Sequence, residues 1–120
     1  MASLLVIEDE PVLGKNIRRT LEKLGHTVAV AASGAEGERL HGERHPDLTL
    51  LDLRLPDASG LDLLPRLKEA HPDGLVVLMT AYAAVEDAVR SMKLGAADYL
   101  QKPLNLDELR QVVSHLLDTA

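Results

Sequence analysis

Carboxylates follow the apolar runs of this sequence at positions where a buried strand would end. Glu8, Asp9 and Glu10 come directly after the aliphatic run at residues 4–7, and Asp52 stands near the end of a later run. Carboxylates held close together repel one another, so a folded chain keeps them only with a neutralising cation, a retained proton or divergent side chains. A hard cation such as Mg²⁺ or Mn²⁺, bound by carboxylate oxygens and water, would neutralise this repulsion.

A hydroxyl and an ammonium group stand at equivalent places farther along the chain. Thr80 comes near the end of a fourth apolar run, and Lys102 comes near the end of a fifth. Both suit the oxygens of a phosphoryl group, whose transfer needs an in-line nucleophile, a metal ion and such donors. Asp52 can be the nucleophile, because carboxylates form aspartyl phosphates. These residue types therefore indicate phosphoryl chemistry.

These side chains meet only if the fold brings several strand ends to one edge. Short aliphatic runs alternate with stretches in which apolar residues recur every three or four positions, which is typical of a βα repeat. We expect strands at 4–7, 26–32, 47–53, 75–81 and 97–103, and helices at 11–25, 34–44, 60–70, 83–95 and 105–118. This order predicts a single α/β domain over residues 1–120, a doubly wound parallel sheet with helices on both faces. The reactive groups then share the carboxyl edge, where such sheets bind ligands.

The apolar spacing also predicts which helical side chains face the core. In the first helix they are Val12, Ile17, Leu21 and Leu24, and in the last helix Leu109, Val112, Leu116 and Leu117. An apolar stripe in the fourth helix also faces inward by default, and it consists of Val85, Val89 and Met92. Pro65 is expected to kink the third helix locally.

Composition limits the classes of function. The 120 residues are 46% hydrophobic and 27% charged, as in an ordinary globular domain, and they include no cysteine for a disulfide or a thiolate zinc site. The net charge of -6 argues against direct binding of nucleic acid by this domain and favours cationic partners. No apolar run has the length of a signal peptide core or a membrane span, so we expect a cytoplasmic protein.

The chain resembles the receiver domain of bacterial two-component response regulators over essentially its whole length. The matching motifs are "VIEDE", "LLDLRLPDASGL" around Asp52, "MTAY" around Thr80 and "GAADYLQKP" around Lys102. The stretch from Thr80 to Pro103 is most similar to receivers of the nitrogen-regulation (NtrC) class, in which an ATPase domain and a DNA-binding domain follow. Neither follows Ala120, so we expect an excised or a stand-alone receiver.

The resemblance implies a flavodoxin-like (βα)5 fold with strand order 2-1-3-4-5 and a metal-assisted phosphoacceptor site. Asp52 would be phosphorylated, and Glu8, Asp9, Asp52 and the main-chain carbonyl of Arg54 would bind Mg²⁺. Glu8 stands where the family more often has Asp, which lengthens its reach to the metal. We assign no function to Ser59.

The remaining implied residues bind the phosphoryl group or respond to it. Thr80 and Lys102 would each bind a phosphoryl oxygen, and small Ala81 would offer its main-chain N–H. Thr80 and Tyr99 would form the switch, and the Lys102–Pro103 peptide bond would be cis.

The function implied is a Mg²⁺-dependent switch rather than an enzyme with a separate substrate. A sensor histidine kinase would donate the phosphoryl group, and the chain would catalyse only its own phosphorylation and dephosphorylation. The surface of the fourth helix, fifth strand and fifth helix would then control an output domain or protein partner, most often in transcription regulation. Homodimerisation on phosphorylation is a further option.

The same residues also fit purely structural roles and two further classes of protein. The acids after the first strand could serve a helix N-terminus, Asp52 could cap a loop, Lys102 could be a solvated surface residue, and Tyr99 a half-buried strand aromatic. A phosphatase similar to the haloacid dehalogenases would need an acid at Arg54 and a cap domain. A constitutive interaction module would be expected to have lost one of the reactive groups, and none is lost.

Two histidines remain outside this scheme. His41 and His45 share a helix face at metal-ligand spacing. The sequence shows neither a third ligand nor the acid of a zinc-hydrolase motif beside them, so we do not predict a metal site there.

Overall fold

The computed structural model describes residues 1–81 and 85–119, in which five strands alternate with five helices as predicted. The strands, β1 to β5, are Ser3–Ile7, Thr27–Ala31, Leu48–Asp52, Leu75–Thr80 and Asp98–Gln101. The helices, α1 to α5, are Pro11–Glu22, Gly34–Arg44, Gly60–Ala70, Val85–Lys93 and Leu106–Thr119. Positions 83 and 84 of the predicted fourth helix lie outside the described residues. None of the described helices is long and apolar enough to cross a membrane.

The five strands form one parallel sheet in the order β2-β1-β3-β4-β5, which confirms the predicted doubly wound topology. The register pairs Ile7 with Leu51 and Thr80 with Gln101. The ends of β1, β3, β4 and β5 therefore lie near one another along a single edge. The apolar pattern places Lys102 within the fifth strand, whereas β5 ends one residue earlier, at Gln101.

The core has two layers because successive strand residues point to opposite faces of the sheet. On one face, Leu4 and Val6 pack with buried side chains of α1 and α5. On the other face, Leu5 and Ile7 pack with buried side chains of α3. Both layers are continuous across the sheet, so each strand of the centre is apolar on both sides, as expected for a parallel sheet covered by helices.

Two predicted core residues of the first helical segment are exposed. Ile17 and Leu21 are fully buried, but Val12 is 64% exposed and Leu24 is 42% exposed. Val12 precedes Ile17 by five residues, which at about 100° per residue turns it roughly 140° away from Ile17. Leu24 lies beyond the last residue of α1, Glu22.

The prediction for α5 was partly right. Leu109 is buried as predicted, but the second fully buried residue is Val113, one turn later, which is absent from the predicted core set. Val112, Leu116 and Leu117 are only partly buried against the same layer.

The apolar stripe of α4 does not face the core. Val85 is 74% exposed, Val89 is 49% exposed and Met92 is 50% exposed, so the default expectation was wrong. The helix instead buries the small side chain of Ser91, whose hydroxyl donates to the carbonyl of Ala88 at 2.8 Å. A small buried face leaves the larger apolar side chains on the solvent side.

Local signals at the helix ends behave as the sequence predicts. Ser33 caps α2 by accepting a hydrogen bond from the main-chain N–H of Glu36. Gly25 follows α1 with φ at 97°, a conformation that favours glycine. Pro65 lies inside α3 and does not end it, since the helix continues to Ala70. The local kink expected at Pro65 stays a prediction.

Two glycines of α2 should respond in opposite ways to alanine. A Cβ at Gly37 would lie 2.6 Å from Cδ1 of Ile7, whereas nothing lies within 4 Å of one at Gly42. Gly37→Ala should lower the free energy of unfolding by about 1–3 kcal/mol through overpacking. Gly42→Ala, the matched control, should raise it by about 0.5–1 kcal/mol through helix propensity. Urea denaturation of both variants checks this, and equal effects would contradict the close contact between α2 and β1.

The buried imidazole of His41 should make stability depend on pH. Burial, helped by the nearby rings of His71 and His45, lowers the pKa of His41 below its ordinary value of 6.5. Protonation therefore favours the unfolded chain, so this contribution is present above pH 6.5 and is lost as the pH falls from there through the folded-state pKa. Denaturation at a series of pH values should show a smaller acid loss in His41→Leu than in the native chain. His115→Leu, at an exposed position, should follow the native chain.

Candidate functional site

Parallel-sheet hydrogen bonding fixes the backbone of three reactive residues, Glu8, Asp52 and Lys102, at the carboxyl ends of the strands. The N–H of Glu8 donates to the carbonyl of Ala31 at 2.9 Å, next to the end of β1. The N–H of Lys102 donates to the carbonyl of Thr80 at 2.6 Å, which ties the residue after β5 to β4. Asp52 is itself the last residue of β3. These side chains therefore start from fixed backbone at the carboxyl edge.

Lys102 joins the two buried acids. Its Nζ lies 2.6 Å from Oε1 of Glu8 and 3.0 Å from Oδ2 of Asp52. The contact with Glu8 has the distance of an ion pair without the directionality of a hydrogen bond. The side chain of Glu8 is 0% exposed and that of Lys102 is 18% exposed, so this charge pair is shielded from solvent.

Burial and the ion pairs act on both partners. Burial raises the pKa of Glu8, against the opposing effects of Lys102 and of the main-chain N–H of Glu10. Burial alone would lower the pKa of Lys102, but its contacts with Glu8 and Asp52 outweigh burial and raise it. Lys102 is therefore held as a cation, and the raised pKa of Glu8 reflects the cost of burying its charge.

The third acid completes a cluster of oxygen ligands. Glu8, Asp9 and Asp52 each offer a carboxylate oxygen, and these atoms lie within 4.8 Å of one another. Asp9 is exposed, whereas the other two acids are buried. Three carboxylates and one ammonium group leave an excess of negative charge, and an all-oxygen donor set fits a hard divalent cation. This acidic pocket can therefore hold such an ion.

Glu10 does not belong to the acidic pocket. Its carboxylate accepts hydrogen bonds from the main-chain N–H groups of Val12 and Leu13, and so caps α1. Any of the acids after β1 could in principle have capped the helix. Glu10 is the residue that does so, while Glu8 and Asp9 contribute to the pocket.

The loop after Asp52 is held close to it by small residues and turns. The main-chain N–H of Arg54 donates to Oδ1 of Asp52 at 3.2 Å. A Cβ at Gly60 would lie 2.5 Å from the carbonyl oxygen of Asp52, so only glycine permits this approach of α3 to β3. Ser59, for which the sequence predicts no function, caps α3 by accepting from the N–H of Leu61.

Asp57 has a role that no local signal in the sequence indicates. Its carboxylate accepts hydrogen bonds from the N–H groups of Gly34 at 2.7 Å and Ala35 at 2.9 Å, which lowers its pKa. Asp57 thus caps α2 from another loop and joins the segment after Asp52 to that helix. A cap supplied from more than twenty residues away leaves no local motif that could have revealed it.

Thr80 and Tyr99 are linked on the other side of the site. Thr80 is buried, and its side chain is hydrogen-bonded to that of Tyr99. Burial raises the pKa of Tyr99, and the nearby carboxylate of Asp87 in α4 acts in the same direction. Ala81 is exposed beside Thr80. The Lys102–Pro103 peptide bond is cis.

Comparison with known proteins identifies the family. The family model of the response regulator receiver domain matches residues 4–114. The chain therefore belongs to the response regulator receiver domains, which occur in bacterial regulators of transcription. The photosynthetic apparatus regulatory protein RegA of Cereibacter sphaeroides is 42% identical over 106 residues, which are 88% of this chain and 57% of RegA. The chain thus spans little more than half the length of this relative.

Solved structures show the same fold. The structure of NtrX from Brucella abortus, from the nitrogen-regulation class, is 31% identical with a TM-score of 0.91, over 98% of this chain and 27% of that one. A response regulator from Burkholderia pseudomallei, solved with a phosphorylated aspartic acid, a calcium ion and citrate, is 34% identical with a TM-score of 0.86. That match covers 91% of this chain and 64% of the other. The predicted family and class are confirmed.

The acidic pocket predicts opposite effects of one substitution without and with Mg²⁺. Asp9→Asn removes a repelling charge, so the metal-free variant should melt at or above the temperature of the native chain. Mg²⁺ should stabilise the native chain by about 1.4 kcal/mol at ten times its Kd, and the variant much less. Thermal melts with Mg²⁺ and with EDTA check this. Asp62→Asn, at an exposed position in α3, is the control, and an equal Mg²⁺ response in all three proteins would contradict the site.

Proposed function

We propose that this chain is a phosphorylation switch in which Asp52 accepts a phosphoryl group from a sensor histidine kinase. The observation that carries the proposal is the position of Asp52, at a strand end between the Lys102 ammonium group and two further acids. The Asp52 carboxylate can act as a nucleophile at the carboxyl edge of the sheet, with the Lys102 ammonium group held beside it. The resemblance to receivers supports the same assignment.

The transfer follows from the groups present. A carboxylate oxygen of Asp52 attacks the phosphorus atom, the bond from phosphorus to the kinase imidazole nitrogen breaks, and its electron pair stays on that nitrogen. Lys102, already in contact with Asp52, stays paired with the added negative charge. Thr80 and the main-chain N–H of Ala81 are the further donors we assign to the phosphoryl oxygens.

The acids suit a divalent cation as the partner in this transfer. Glu8, Asp9, Asp52 and the main-chain carbonyl of Arg54 would hold Mg²⁺, or Mn²⁺ in its place, and the bound ion would offset the charge of the phosphoryl group. The support is the cluster of three carboxylate oxygens within 4.8 Å. The Burkholderia relative was solved with both a phosphorylated aspartic acid and a calcium ion, which supports the pairing of an aspartyl phosphate with a divalent cation here.

The Thr80–Tyr99 hydrogen bond offers a route from the site to the surface. If Thr80 turns its hydroxyl toward the phosphoryl group, it gives up its hydrogen bond with Tyr99. The Tyr99 side chain can then change its electrostatic interaction with Asp87 of α4. The surface of α4, β5 and α5 carries the exposed side chains Val85, Val89 and Met92. We assign this surface to an output domain or protein partner, or to a second copy of the chain after phosphorylation.

The proposed switch is one receiver domain, residues 1–120, acting in the cytoplasm on transcription regulation. The chain changes its own phosphorylation state and turns over no separate substrate. Its net charge of -6 supports control of gene expression through a partner rather than through direct contact with nucleic acid.

Acetyl phosphate and Mg²⁺ should add one phosphoryl group to the native chain. Intact-mass measurement should show a single adduct that is absent from Asp52→Ala and absent when EDTA replaces Mg²⁺, because both the nucleophile and the cation are needed. Asp62→Asn, the matched control at an exposed aspartate, should label like the native chain. An adduct that persists in Asp52→Ala would mean that the nucleophile is another residue. No adduct on the folded native chain would favour a constitutive interaction module.

A further inference from the structure

Three imidazoles gather at the opposite end of the sheet from Asp52. His41 lies in the last turn of α2, His45 is the residue that ends it, and His71 is the residue that ends α3. The ring centroids of His41 and His71 are 6.1 Å apart, and those of His45 and His71 are 5.5 Å apart. Because α2 and α3 lead into the first residues of β3 and β4, this histidine cluster lies at the amino edge of the strands.

The cluster contains a third imidazole that the sequence does not place beside the other two. His71 is 26 positions from His45 in the chain, so no local spacing connects it with the pair in α2. In the fold its ring stands near both of the others and meets that of His45 edge to face, at 83°. One of the two reasons for not predicting a metal site from the sequence, the lack of a third ligand, therefore no longer holds, whereas the acid of a zinc-hydrolase motif is still missing from the sequence beside His41 and His45.

The backbone around the cluster has one unusual conformation and one close packing contact. His45 has φ at 46° and ψ at 60°, a left-handed conformation that favours glycine. A Cβ at Gly74 would lie 2.5 Å from Cδ2 of His71, so the ring of His71 packs directly on the glycine backbone. Lys68 fixes this loop, since its Nζ donates to the carbonyls of Pro72 and Gly74, each at 2.9 Å.

The ring nitrogens are suited to a metal ion. Burial and the two neighbouring imidazoles keep the pKa of His41 low, which leaves its ring neutral with a lone pair to donate. Glu38 is the acid that acts on His41 from the same helix, and its carboxylate lies 3.5 Å from Arg66. The carboxylate that acts on His41 is therefore already paired with a cation, and the imidazoles are the ligands that we consider.

We propose that His41, His45 and His71 bind one late first-row transition metal ion, such as Zn²⁺ or Ni²⁺, with water in the remaining positions. Imidazole is a preferred ligand of these ions, and three histidines are a complete protein ligand set for zinc. Rings that share a tetrahedral ion at ordinary bond lengths have centroids roughly 5 Å or more apart. The two spacings from His71, to His41 and to His45, are close to that value.

Binding requires a small rearrangement of the more accessible rings. Among the described residues, the carboxylates of the acidic pocket already lie within 4.8 Å of one another. The ring nitrogens of His41, His45 and His71 are not yet that close together. His41 is buried, whereas His45 is exposed and His71 is half-buried. The outer two rings can therefore turn toward the fixed ring of His41, and the ion would cross-link the ends of α2 and α3.

Calorimetric titration of the native chain with Ni²⁺, in excess Mg²⁺ to occupy the acidic pocket, tests the proposal. One equivalent should bind, and His45→Gln and His71→Gln should each weaken binding by at least about tenfold. Gly74→Ala should weaken it as well, because it displaces His71 without removing a ligand. His115→Gln, an exposed histidine of α5, should bind as the native chain does.

Three results would overturn the proposal. The first is that Ni²⁺ does not bind the native chain. The second is that His45→Gln and His71→Gln bind it as tightly as the native chain does. The third is that Asp9→Asn loses binding, which would place the ion in the acidic pocket. Circular dichroism of each variant establishes that it is folded. Labelling of Asp52 by acetyl phosphate should be unchanged in the histidine variants, so failure at the histidine cluster and failure of the phosphorylation switch are separate outcomes.

Discussion

Two buried carboxylates share one ammonium group, and the rest of the carboxyl edge depends on that pairing. Glu8, Asp52 and Lys102 come from the ends of three different strands, and a shift of any strand by one residue would leave a charge buried without its partner. Removing a charge from water is costly, and the attraction offsets this cost only in good geometry. The pairing therefore favours one sheet register over its alternatives, in addition to any net stability that it contributes.

Helix caps hold the loops around this edge in place. Glu10 and Ser59 each cap the helix that comes next in the chain, and Asp57 caps α2 from the loop after Asp52. Each cap satisfies N–H groups that a helix start leaves unpaired and holds a loop close to the acids. The site thus stands on short, well-anchored turns, which is the preorganisation that the proposed phosphoryl transfer needs if little covalent help comes from the protein.

The sequence predicted those features that depend on strand ends and local signals. Glu8, Asp9, Asp52 and Lys102 could be brought together because parallel strands share a carboxyl edge. Contacts between distant loops could not be predicted, and the cap from Asp57 and the meeting of His71 with the pair in α2 are the clearest cases. The burial of helix faces was predicted less well, because the spacing of apolar residues does not reveal that α4 packs through Ser91 and leaves Val89 outside.

The packing of the helices also indicates which part of the fold can respond to a change at Asp52. α3 buries five of its residues, and β3 is buried along its whole length, so neither can move without opening the core. α4 buries only Ser91 among its described residues, and it faces the Thr80–Tyr99 pair through Asp87. A helix with so little buried surface has the smallest packing cost for a shift. A change in charge at the carboxyl edge should therefore be expressed at α4, while the amino edge with its histidine cluster stays in place.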